Sequence, residues 1–129
     1  MVSKMALAAT AATLCVVWNN SMAQDWAPIK SAKELTALYS NKTFKGNGWV
    51  GHYRADGHGI LVSQFAGGKP VRRTWKVVGE DQVCATLDNG STTCNRFQRH
   101  RTKPNEIVIT RLSDGMTFNV TVQDGIPSF

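Results

Sequence analysis

Val83-Cys84-Ala85-Thr86-Leu87-Asp88-Asn89-Gly90-Ser91-Thr92-Thr93-Cys94 decides the fold. Two alternating, strand-forming runs flank Asp88-Asn89-Gly90, a three-residue loop in which Gly90 can take the left-handed conformation that closes a hairpin. Such a loop pairs Leu87 with Ser91, and counting outward sets Cys84 directly opposite Cys94. If the closing pair is hydrogen-bonded, alternation makes the cysteine pair a non-hydrogen-bonded one, where Cα atoms lie closest and a disulfide fits. The loop-entropy formula gives this closure about 3 kcal/mol at most, less because the hairpin is already partly local in the unfolded chain. A redox centre would want closely spaced cysteines at a helix start, which this pair does not offer.

The same pattern runs outward on both sides. Strands are expected near 43–46, 48–54, 60–65, 71–78, 82–87, 92–99, 106–112 and 116–122, broken by turn formers such as Asp56-Gly57, Gly67-Gly68 and Ser113-Asp114-Gly115. Every gap is short, so consecutive strands must be antiparallel neighbours, because a parallel pair needs a crossover of a dozen residues or more. The expected fold is therefore mostly β: an antiparallel up-and-down meander of about eight strands, as a curled sheet or a small barrel, of which the barrel removes exposed edges. Trp49, Trp75, Phe97 and Phe118 fall on alternating positions beside Val71, Val77, Ile107 and Val120 and read as core. One short N-terminal helix precedes the strands. Ser31-Ala32-Lys33-Glu34 matches a capping box, Leu35, Leu38 and Tyr39 form one apolar stripe, and Ser40-Asn41 ends it.

The chain begins Met1-Val2-Ser3-Lys4, continues in an apolar run from Met5 to Trp18, and reaches Ser21-Met22-Ala23. That is the layout of a cleavable signal peptide over residues 1–23, with small residues at the two recognition positions of the peptidase and a run too short to span a bilayer. Residues 24–30 read as a flexible N-terminal segment and residues 31–129 as a single β domain. Lys4 and Cys15 leave with the signal, so fourteen basic residues remain against nine acids, and Cys84 and Cys94 meet an oxidising compartment. The expected location is periplasmic or secreted, the expected state a monomer with no transmembrane span, and the expected surface one that favours anions.

The densest charge lies in Asn95-Arg96-Phe97-Gln98-Arg99-His100-Arg101-Thr102-Lys103, which holds no acid. Arg96, Arg99, Arg101 and Lys103, joined by Arg72, Arg73 and Lys76 from an earlier strand, are candidates for binding an anionic polysaccharide or a lipid head group. The competing account is a solvated strand edge, since basic residues there deter edge pairing. Nucleic acid is not the expected partner, because the aromatics that would stack on bases read as core.

Catalysis finds little support. No serine sits in a nucleophile elbow, no free cysteine survives signal removal, and no glycine pattern cradles phosphate. The nine carboxylates lie in the N-terminal segment, in the helix, or at turns and their flanks, so no paired-acid cleft is visible. His52 and His58 are poorly spaced for a metal, and neither metal nor cofactor is implied. The chain reads as a non-catalytic binding protein of the cell envelope. One alternative is an enzyme using His52 and Asp56.

Leu35 to Thr43, Tyr53-Arg54-Ala55-Asp56-Gly57, Thr74-Trp75-Lys76-Val77 with Gly79, and the cysteine pair occur in that order. In these motifs the chain resembles an uncharacterised family of small exported proteobacterial proteins filed as a domain of unknown function, over most of the mature length. The resemblance implies bacterial export and a shared fold, and no activity. A looser likeness is to small periplasmic metalloprotease inhibitors, exported β-barrels with one disulfide. It implies an exported protein as partner, with residues 24–30 as the segment that enters the protease, although a hairpin disulfide departs from their pattern.

Overall fold

A computed structural model describes residues 25–129; the signal peptide expected over residues 1–23 lies outside them. Nine strands and one helix follow one another: β1 (Trp26–Pro28), α1 (Ala32–Tyr39), β2 (Lys42–Gly46), β3 (Trp49–Tyr53), β4 (His58–Ser63), β5 (Pro70–Val78), β6 (Gln82–Leu87), β7 (Thr92–His100), β8 (Glu106–Arg111) and β9 (Thr117–Asp124). From β2 to β9 each strand pairs antiparallel with the next, and β9 returns to β2 with Val122 opposite Phe44. The meander is therefore a closed eight-stranded barrel. Closure pairs both outer strands of the meander, which removes the edges that an open curled sheet would expose.

The hairpin that specifies this topology has the expected register. Leu87 N–H donates to the Ser91 carbonyl at 2.9 Å, Gly90 takes φ 90°, and Cys84 pairs with Cys94 in a disulfide with Cα atoms 4.0 Å apart. That spacing is the close one of a non-hydrogen-bonded pair. The disulfide lies on the outer wall, because Val83 and Phe97, of the opposite parity, point inward and are buried.

Period-two alternation fills the barrel with Phe44, Trp75, Val83, Phe97, Ile107, Ile109, Val120 and Val122. Val71 shares that parity but is 37 % exposed; the core position expected for it fails because β5 there has run out to the rim. Helix α1 closes one end of the barrel. The Ser31 hydroxyl accepts Glu34 N–H at 3.2 Å, and Asn41, at φ 57°, turns the chain out of the helix into β2. Leu35, Leu38 and Tyr39 are buried. Tyr39 sits at the centre of an aromatic cluster, with ring centroids 4.6 Å from Tyr53, 4.7 Å from Phe44, 5.1 Å from Trp75 and 5.7 Å from Phe97.

Residues 24–30, expected to be flexible, are in part ordered. Strand β1 pairs Trp26, Ala27 and Pro28 with His100, Arg99 and Gln98, on the side of β7 that β6 no longer covers, and Ile29 is buried with its N–H donating to Phe97. The unpaired backbone at the end of β7 supplies the partner that a three-residue strand lacks on its own. No helix among the described residues is long and apolar enough to cross a membrane.

Candidate functional site

The end of the barrel opposite α1 carries the β2–β3, β4–β5, β6–β7 and β8–β9 connections, and between them opens a cavity of about 280 Å³. Trp49, Leu61, Ile109 and Phe118 supply apolar wall, and Ser63, Thr93 and Asn95 supply polar groups. Tyr39 and Tyr53 form the floor. Two arginines, Arg73 and Arg111, face it, and among the described residues no carboxylate lines it.

The two arginines are in opposite situations. Arg111 is bound by the β8–β9 loop: its Nε and Nη2 donate to the two Asp114 carboxylate oxygens at 3.1 and 2.7 Å, and its guanidinium lies 5.2 Å from the Phe118 ring centre. Its charge is neutralised at the rim. Arg73 takes part in none of the ion pairs among the described residues, and its buried Nε has no hydrogen-bond partner there. The buried Asn95 Oδ1, on the same cavity, also lacks one. Donors and acceptors this deep normally have partners, since each unsatisfied group costs about 1–3 kcal/mol.

Local sequence explains how Arg73 reaches this position. Tyr53 lies opposite Gly59, and Gly59 lies opposite Arg73, so the three form one row across β3, β4 and β5. Because Gly59 has no side chain, Tyr53 and Arg73 approach across the gap; a Cβ on Gly59 would stand 2.8 Å from the Tyr53 ring, and one on Gly51 would stand 2.8 Å from its hydroxyl. Burial pushes the Tyr39 hydroxyl pKa well above the ordinary tyrosine range and raises that of Tyr53, while the Arg73 charge pulls both the other way and a hydrogen bond from the Arg73 guanidinium to the Tyr53 oxygen adds to that pull. Both phenols stay neutral at physiological pH and can donate a hydrogen bond beside the guanidinium.

Apart from Arg73, the basic residues singled out in the sequence lie elsewhere, and the fold spreads them. Arg96 is on the outer wall, 3.2 Å from Asp81, and Arg72 and Lys76 are exposed on the outer face of β5. Arg99 has inward parity but sits at the closed end, lining small clefts beside Glu34 and Pro104, with its buried Nε unpartnered. Arg101 is exposed in the β7–β8 turn, and Lys103 lies 4.0 Å from Glu106.

His52 and Asp56 each have separate work. Thr43 Oγ1 donates to the Gly125 carbonyl at 2.7 Å, so its 2.8 Å contact with His52 Nδ1 has the ring nitrogen as donor. Burial, helped by the Lys45 charge, lowers the His52 pKa. Asp56 pairs with Arg54 and accepts the His58 N–H at 3.1 Å, as a turn former does. Among the described residues no three His, Cys, Asp or Glu side chains gather to hold a metal ion.

Two predictions follow from these charges. Arg73→Met is expected to stabilise the unliganded protein by about 1 kcal/mol, because it removes a half-buried, unpaired cation and keeps most of the volume; urea unfolding of both proteins measures this. The second concerns acid. Hydrogen bonds from Arg54 and Arg111 hold Asp56 and Asp114 at about 2, against an ordinary 3.8. A depressed folded value stabilises the fold above the unfolded pKa, and that contribution is lost as pH falls through the folded one. The lowered His52 pKa adds a loss of stability as pH falls below the ordinary histidine range; the urea midpoint should then fall further from about pH 5 towards pH 2, and this acid limb should be less steep in the Asp56→Asn, Asp114→Asn double variant.

Compared with protein-family models, curated proteins and solved structures, the chain matches none.

Proposed function

We propose that this is an exported, non-catalytic binding protein of the bacterial envelope, and that its ligand is a small molecule held in the open mouth of the barrel. The observation that carries this reading is Arg73: a cation on the wall of a cavity with no acid, with an unpartnered buried donor and two neutral phenols beside it. An apolar pocket with a few convergent polar groups is the usual form of a small-molecule site. The disulfide supports an oxidising location, periplasmic or secreted, as the leading apolar run does.

The basic stretch supports a surface contact with polysaccharide or lipid less well, because its charges point in different directions. A protease-inhibiting role for residues 24–30 would require β1 to leave β7 and Ile29 to leave the core. A thermal-shift screen with small acids, alcohols and amines tests the reading. Compounds that stabilise the protein should lose their effect when Thr93→Trp fills the mouth. Stabilisation untouched by that substitution would place the site elsewhere.

A further inference from the structure

Resting on the mouth as the ligand site, we propose that the ligand is a small monoanionic carboxylic acid with an aromatic or branched apolar body, bound carboxylate-first. Charge sets the first part of this assignment. Of the two guanidinium groups on the cavity, only Arg73 lacks a counter-ion, since both Asp114 oxygens engage Arg111. One uncompensated cation in a site with no acid balances one negative charge. A phosphate dianion would bring a second negative charge for which the cavity offers no further free cation among the described residues, since Arg111 is already held by Asp114.

Placement sets the second part. The donors lie deep, where Arg73 faces Tyr53 across Gly59 with Tyr39 on the floor, and the planar guanidinium fork matches a carboxylate with two parallel hydrogen bonds. Trp49, Leu61 and Phe118 provide apolar walls around the body. A dry cavity of about 150 Å³ takes one benzene molecule, so about 280 Å³ suits a ligand of roughly a dozen non-hydrogen atoms. An amine would meet the guanidinium as a like charge, and an alcohol would forgo the ion pair and the second of the two parallel bonds.

Isothermal titration calorimetry with 3-phenylpropionate, 3-phenylpropanol, 3-phenylpropylamine and phenyl phosphate tests this on the purified protein. The carboxylate should bind at least about 10-fold more tightly than the alcohol, as charge-assisted hydrogen bonds predict. Amine and phenyl phosphate should both bind more weakly than the carboxylate. Arg73→Met should bring the carboxylate down to the alcohol while moving the alcohol less than about threefold, and Arg73→Lys should fall between, since it keeps the charge and loses the fork. Asp114→Asn, which frees Arg111, should raise the affinity for phenyl phosphate. Equal binding of carboxylate and alcohol, or carboxylate binding unchanged in Arg73→Met, overturns the ligand class while the mouth stands. No binding of the carboxylate at millimolar concentration also overturns the class. Binding of any member that is indifferent to both Thr93→Trp and Leu61→Trp, each checked for folding by circular dichroism, overturns the mouth itself.

Discussion

Tyr39→Ala is expected to destabilise the protein by about 3–5 kcal/mol, the range for truncating a large buried aromatic. The ring is 4 % exposed and touches Phe44, Tyr53, Trp75 and Phe97, so four neighbours lose contacts together and none can fill the space without leaving its strand. It is also, with Leu35 and Leu38, one of the three side chains that α1 buries in the barrel core. Its loss loosens the helix that closes one end and opens the floor of the mouth cavity. For a domain of this size the thermal midpoint should fall by on the order of 20 °C. Tyr39→Phe removes only the hydroxyl and should keep nearly all of the stability while weakening any ligand that reaches the floor. Thermal unfolding of the pair separates the packing role of the ring from the donor role of the hydroxyl; an alanine variant as stable as the parent would contradict the described core.

Removing the disulfide comes next in size. Cys84→Ser with Cys94→Ser should cost about 2–3 kcal/mol, close to the entropy of closing a loop of this length and reduced by the native-like hairpin that persists in the unfolded chain. The bridge ties β6 to β7 on the outer wall and faces away from the cavity, although Cys94 stands between the lining residues Thr93 and Asn95. The urea midpoint should drop accordingly, and the ratio of carboxylate to alcohol binding should stay as it was. A variant that folds with full stability would show that strand pairing alone holds the hairpin.

Much of this architecture was legible from local chemistry. The Asp88-Asn89-Gly90 loop fixed a register that placed the cysteines opposite each other, and the shortness of every connection left a meander as the only antiparallel solution. The site was legible too, by a rule applied only to the core. Arg73 stands two residues before Trp75, Asn95 two before Phe97, and Arg111 two after Ile109, so all three have the parity of the barrel interior. Grouping basic residues by density along residues 96–103 hid this, because alternation sends Arg96 outward to Asp81 and Arg99 inward at the other end. Other features depend on contacts distant in sequence. Strand β1 is three residues long and includes Pro28; it exists because β6 leaves part of β7 unpaired, which no local pattern reveals. The floor made by Tyr39 likewise depends on barrel closure, since the helical stripe shows which face is buried but not what it covers.

The central claim is that Arg73 is the unpaired cation on which an anionic ligand rests. It is tested most directly by following the arginine Nε–H signals in a proton–nitrogen correlation spectrum, with the Arg73 signal identified by its loss in Arg73→Lys. Titration with 3-phenylpropionate should shift and sharpen the Arg73 signal, as its unpartnered Nε–H gains an acceptor, while those of Arg96, Arg99 and Arg101 stay in place. An Arg73 signal that stays put while the signals of the 96–103 stretch move would contradict the account and return the binding surface to the outer wall.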